Sequence, residues 1–206
     1  MPLGLRVERR YFKQGINCVA GMDEVGRGPL AGPVVAAVVV VGQNCRALKG
    51  VKDSKVMTQR RREDLAAAIC SSLRYAVAGA SPREIDRWNI RRATALAMRR
   101  ALDRLGDIDG VIIVDGLPLP EIGREHEAMV DADAKCYAVA CASIVAKTVR
   151  DRLMHRLAPR YPQYGWDHNA GYGTADHRHA INEVGISPHH RKTFMPVAQM
   201  EMLFDG

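Results

Sequence analysis

From Met22 to Pro33 the chain reads Met-Asp-Glu-Val-Gly-Arg-Gly-Pro-Leu-Ala-Gly-Pro, and this stretch constrains the rest of the fold. Two adjacent carboxylates, Asp23 and Glu24, follow the apolar lead-in Cys18-Val19-Ala20. Neighbouring side chains on a strand point to opposite faces. The pair is therefore expected at a strand end, where the backbone turns and both carboxylates can approach one ion. Gly26 and Gly28 let the backbone come close to a ligand because no Cβ intrudes. Arg27 supplies a planar fork suited to phosphate. The run Val34 to Val41 then reads as a buried, β-branched strand.

Beyond this turn, strands and helices alternate. Residues 17–24 and 33–42 read as strands, 58–74 as a helix and 75–79 as a strand. Ser81-Pro82-Arg83-Glu84 is a capping box with proline at the first helical position, opening a helix to Leu105. Ile90, Thr94, Ala97, Ala101 and Leu105 share one face of it. Residues 111–114 and 128–130 read as short strands, 138–157 and 174–184 as helices. The pattern predicts an α/β domain with a mixed central sheet flanked by helices, spanning residues 1–186. A short C-terminal helical appendage is expected over 187–206.

Three of the expected strands end in acid: Asp23-Glu24, Asp115, and Asp131 or Asp133. Ligands of open α/β sheets collect at strand ends. Acids meeting in one crevice repel unless a cation holds them, and hard oxygen donors without a Cys/His pattern select Mg²⁺ or Mn²⁺ over zinc. Asp131 and Asp133 have the same parity, so spacing does not choose between them. The plain alternative for each acid taken alone is a solvated turn.

Net charge is +7 over 206 residues, which suits a polyanionic partner such as nucleic acid. The pairs Arg91-Arg92 and Arg99-Arg100 and the run Arg60 to Arg62 read as solvated helix faces rather than a binding groove. The five cysteines include no Cys-x-x-Cys, which excludes a zinc ribbon and a disulfide framework and suggests a reducing, cytoplasmic setting. No stretch is apolar enough for a signal peptide or a membrane span, so no membrane association is expected.

Asp-Glu-Val-Gly-Arg-Gly-Pro-Leu-Ala-Gly-Pro-Val resembles the signature of the ribonuclease HII family, and matches continue in order to about residue 196. Lys52-Asp53-Ser54-Lys55 is similar to the family's Lys-Asp-Ser-Lys loop. Asp133, followed by Ala142-Ser143-Ile144-Val145-Ala146-Lys147 and Arg150-Asp151, resembles its acid-to-helix segment. Val114-Asp115-Gly116, Gly171-Tyr172-Gly173-Thr174 with His177, and His190-Arg191 with Phe194 complete the likeness. Two positions depart from it: Ala170 stands where the family often has lysine, and Ala132 where it often has glycine. Ala170 weakens any lysine–phosphate contact there.

The resemblance implies a ribonuclease H-like fold and an endonuclease that cuts the RNA strand of RNA–DNA hybrids, single ribonucleotides in duplex DNA included. By that match Asp23, Glu24, Asp115 and Asp133 are the catalytic acids and hold Mg²⁺ or Mn²⁺. The turn Gly26-Arg27-Gly28 would read the ribose 2′-hydroxyl and Tyr172 the RNA–DNA junction. Tyr172 also lies in a glycine-flanked loop where its ring can stack on a sugar or base. Ser54, Lys55, Ser143 and Lys147 are candidate phosphate partners, the last two on one helix face. A monomer is expected. Two rivals remain at this level: a branched-DNA nuclease of similar fold, and a non-catalytic nucleic-acid-binding module.

Overall fold

The structure, a computed structural model, describes residues 3–52 and 54–199, and for Lys55 the backbone alone. Asp53 and the Lys55 side chain, both within the sequence-matched loop, therefore lie outside the described residues. The strands are β1 (Cys18–Val25), β2 (Val34–Gly42), β3 (Arg74–Ala80), β4 (Gly110–Asp115) and β5 (Glu127–Met129). The helices are α1 (Glu8–Phe12), α2 (Gln59–Ser72), α3 (Pro82–Leu105), α4 (Tyr137–Leu157), α5 (Trp166–Asn169) and α6 (Ala175–Val184).

The strands form one mixed sheet in the order β3-β2-β1-β4-β5. β1 pairs antiparallel with β2 and parallel with β4. β3 is antiparallel to β2, and β5 parallel to β4. Side-chain alternation divides the core between the two faces. Val19, Ala37, Val39 and Val41 pack with α2 and α4, whereas Ala20, Met22, Ala36 and Val38 pack with α3. A third cluster joins Leu30, Ala31, Met154, Trp166, Ile181 and Val197. The described part of the 187–206 segment enters this third cluster, with Arg191 and Val197 fully buried.

Gly21 explains how closely α4 lies on the sheet. A Cβ there would sit 2.2 Å from Ala138 C and Val139 N, so the helix backbone rests directly on β1. Helix α3 starts where the capping box puts it, with Ser81 Oγ accepting from Glu84 N–H and Glu84 reaching back to Ser81 N–H. It is not one continuous helix as the periodicity implied. Asn89 breaks it at φ 65° and ψ 165°, and its side-chain oxygen accepts from Arg92 N–H, recapping the second part. The apolar face nevertheless falls as its spacing predicts, with Thr94, Ala97, Ala101 and Leu105 buried. Helix α1 was not legible in sequence. It is five residues long with no side-chain cap, and it is held by tertiary contacts of Leu5 and Glu8.

Candidate active site

Asp23 and Glu24, expected at a strand end where the backbone turns, lie within the last three residues of β1, which runs on to Val25 before the turn. The reason is that β1 has unequal neighbours. Its pairing with β2 continues to Val25↔Val35, while its pairing with β4 stops at Met22↔Val114. The two acids thus occupy a strand on one side and an open edge on the other. They keep the alternation of the strand: Asp23 points toward α4 and Ser143, and Glu24 toward the α3 side, where it lines a cleft of about 210 Å³ with Arg27, Arg91, Thr94 and Asp115.

Asp115 ends β4 one position after Val114, so parallel register brings it beside Asp23. Its Oδ1 accepts from Ala132 N–H at 2.6 Å. Asp133 follows in a single 3₁₀ turn, Ala132–Ala134, and is buried, whereas Asp131 precedes the turn in the left-handed region and is exposed. The departure Ala132 costs nothing at this contact, because a backbone N–H makes it.

The electrostatics are those of crowded anions. Burial pushes the Asp23 carboxyl well up, and the charges of Glu24 and Asp115 push it further; a hydrogen bond from Ser143 and the bond from Glu24 N–H to Oδ1 at 2.7 Å oppose this. Burial also raises Glu24, with Asp115 adding and the Arg27 guanidinium, 3.2 Å away, opposing. Among the described residues no three His, Cys, Asp or Glu side chains are grouped tightly enough to hold an ion as they stand. The donor set is all oxygen, the charge of Asp115 raises the proton affinity of both Asp23 and Glu24, and the backbone positions of β1 and β4 adjoin. This chemistry fits a hard divalent cation.

The turn after β1 is laced from below by two buried arginines. Arg150 donates from Nε to Pro33 O, from Nη1 to Ala170 O and from Nη2 to Ala31 O at 2.9–3.1 Å. Arg191 donates to the carbonyls of Gly26, Arg27 and Gly32. Gly26, at φ +93°, is required because a Cβ would lie 2.1 Å from Arg150 Nε. Gly28 is different: a Cβ there would meet nothing nearer than Tyr172 Cε1, at 4.0 Å. Tyr172 is 43% exposed and stands over this open glycine. With no carboxylate among these contacts, burial pulls Arg191 down to about 9, and the charge of Arg150 adds to it.

The Tyr172 loop is fixed by a one-way hydrogen-bond chain. Ser187 N–H donates to His190 Nδ1 at 2.9 Å, which leaves the His190 Nε2–H to face His177 Nε2 at 3.1 Å. His177 Nδ1 then donates to Tyr172 O at 2.8 Å. Both imidazoles are neutral in this arrangement, and burial drives His190 down to about 3.

Ser54 and Ser143 come together, their hydroxyls 2.9 Å apart, on the Asp23 side. Lys147 Nζ contacts Asp151 at 2.7 Å, and Asp151 also takes Arg62 at 2.8 Å. Arg62 is therefore buried and not on a solvated face, since Ser54 O, Met57 O and Asp151 surround it. Arg100 is half-buried against Glu84 and Gly79 O. The residues the sequence reading assigned no role are Arg150, Arg191 and His190. A signal existed for Arg150: it sits four residues from both Ala146 and Met154, on a stripe whose other members are buried.

This sheet order, with acids at adjoining edges of β1 and β4, defines the ribonuclease H-like class. Crystallised ribonuclease H2 from Pyrococcus horikoshii OT3 superposes with a TM-score of 0.76 at 30% identity, covering 91% of this chain and 99% of that one. The chain belongs to the ribonuclease HII family, whose profile matches residues 20–197. Curated relatives named Ribonuclease HII include one from Thermosynechococcus vestitus, 47% identical over 94% of this chain and 91% of its own length. Another, from Paracoccus denitrificans, is 47% identical over 93% of this chain and 91% of its length. The chain is thus a type 2 ribonuclease H, an enzyme cleaving RNA strands in RNA–DNA hybrids. Among the described residues no helix is long and apolar enough to cross a membrane.

Proposed function

We propose that this chain hydrolyses RNA strands paired to DNA, and single ribonucleotides embedded in duplex DNA, at Asp23, Glu24, Asp115 and Asp133. The observation that supports this most is the register of β1 and β4, which ends at Met22↔Val114 and leaves the acids of both strands side by side. The family depends on divalent metal, and these four carboxylates would hold it as Mg²⁺ or Mn²⁺. When bound, a pair of such ions eases ionisation of the attacking water and departure of the 3′ oxygen, leaving 5′-phosphate and 3′-hydroxyl ends.

The chain's own residues do the selecting. The Gly26-Arg27-Gly28 backbone meets the ribose, and the 2′-hydroxyl is the group that separates RNA from DNA at one site. Gly28 leaves room for that approach, and the exposed Tyr172 ring packs on the neighbouring sugar at the junction. Ser54, Ser143 and Lys147 take the phosphates on the α4 side, and Lys55 is a further phosphate partner.

The test is cleavage of two duplexes that differ by one ribonucleotide, with Mg²⁺, Mn²⁺ or chelator present. Metal-dependent cutting only of the ribonucleotide-bearing duplex is expected. Equal cutting of the all-DNA duplex would replace this reading with a nuclease blind to ribose, and binding without turnover would replace it with a binding module.

A further inference from the structure

The acidic end of the sheet is continuous with one side of α3. β3 is antiparallel to β2 and β2 to β1, so β3 runs in the direction of β1 and, with β2 between them, finishes at the same end of the sheet, Ala80 pairing with Val34 where Val35 pairs with Val25. Helix α3 therefore begins at the end of the sheet that carries Glu24 and Asp115. Its first half turns Arg83, Arg87, Trp88, Arg91 and Arg92 to solvent.

The acids nearby are already engaged. Glu84 is held by Ser81 and Arg100, and Asp86 accepts from Lys192 N–H and from Thr193. Glu121 is clamped by Arg91 at 2.7 Å. Arg83, Arg87 and Arg92 make no ion pair among the described residues. Trp88 is 42% exposed, with the Arg87 guanidinium 4.7 Å from its ring centroid. Trp88, Arg92, Leu96 and Arg99 line a groove of about 370 Å³. Its remaining wall is Glu121, the partner of Arg91, which itself lines the cleft holding Glu24 and Asp115. Groove and cleft thus meet across one ion pair.

We propose that this face of α3 holds the sugar-phosphate backbone of the duplex flanking the cut, beyond the ribose-reading turn. The proposal rests on the reading that the adjoining cleft acts on nucleic acid. Exposed guanidinium groups that form no ion pair among the described residues, with Glu121 close to Arg92 but held by Arg91, complement a phosphate row when set beside such a cleft, and each phosphate contact releases condensed counterions. The exposed indole, backed by Arg87, is a flat apolar platform for a sugar or base edge. These contacts would carry no sequence information and would add affinity in proportion to flank length.

The experiment measures duplex binding in chelator by the whole protein and by the Arg87→Gln/Arg92→Gln variant, at several salt concentrations. One all-DNA duplex covers the cleft alone, and a longer one reaches over α3. The variant is expected to keep its melting temperature and its affinity for the short duplex. It should bind the long duplex about tenfold more weakly, with the slope of log Kd against log salt lower by about 1.8. Trp88→Ala should weaken the long duplex alone. An unchanged long-duplex affinity and slope would overturn the proposal and leave a solvated helix face, and an equal loss on both lengths would overturn it in favour of a general charge effect. Because chelator removes turnover, failure of the ribonucleotide assay would sink the catalytic reading without altering this result.

Discussion

The Arg191 guanidinium donates to the carbonyls of Gly26, Arg27 and Gly32 at once, tying the C-terminal segment to the turn that follows Asp23 and Glu24, the proposed catalytic acids of β1. Lysine keeps the charge but not the fork. Arg191→Lys is predicted to fold, with stability lower by about 2 kcal/mol. Discrimination between ribonucleotide-bearing and all-DNA duplexes should fall. Paired cleavage rates and a melting curve check this; lower stability with intact discrimination would make Arg191 a fold residue only.

Asp23 is predicted to be costly to the metal-free fold. Its carboxyl is raised above the ordinary range by burial and by the charges of Glu24 and Asp115, so its ionised form at neutral pH is disfavoured in the native state relative to the unfolded one. Asp23→Asn keeps an acceptor for Ser143 and removes one anion. Without metal it should raise stability near pH 7 by about 1–2 kcal/mol, or roughly 2–8 °C in Tm, while abolishing cleavage. The gain should vanish once the pH falls below the range in which an unfolded aspartate ionises.

The paired histidines give a pH dependence of opposite sign. His190 is lowered to about 3 by burial first and by His177 next, against 6.5 for the unperturbed group. Between these limits the unfolded chain binds a proton that the folded chain does not. Its stabilising contribution is present above pH 6.5 and is lost, at about 1.4 kcal/mol per pH unit, as the pH falls. The stability difference between wild type and His190→Asn should therefore shrink on acidification from pH 6.5. Denaturant melts at several pH values check it, and a pH-independent difference would contradict it.

Two glycines separate packing from function. Gly21→Ala places a Cβ 2.2 Å from the α4 backbone and should cost more than about 3 kcal/mol or prevent folding. Gly28→Ala meets nothing nearer than 4.0 Å and should leave Tm unchanged, yet it puts a methyl group beside Tyr172, where the ribose is proposed to lie. Loss of ribonucleotide cleavage without loss of stability is the predicted outcome.

Much of this was legible in sequence because local rules and tertiary structure agree. The capping box, the apolar face of α3 and the β-branched run of β2 each fall where their residues put them. What sequence could not give was pairing. Asp23 and Glu24 look like strand-end residues, yet only the different extents of the β2 and β4 ladders show that they are half inside a strand. Parity left Asp131 and Asp133 equivalent, and the 3₁₀ turn separates them by exposure. Arg150 and Arg191 were unread for a similar reason: a buried cation satisfied by carbonyls leaves no partner of opposite charge to find in the sequence.

The acids of β1, β4 and the turn after β5 are proposed to serve one cation site. Calorimetric titration of Mn²⁺ into wild type and into Asp115→Asn tests it most directly, because asparagine retains the acceptor for Ala132 N–H while removing the charge. Saturable binding by the wild type is expected, lost or weakened at least tenfold in the variant with its melting temperature preserved. Equal Mn²⁺ affinity in the two proteins would contradict it.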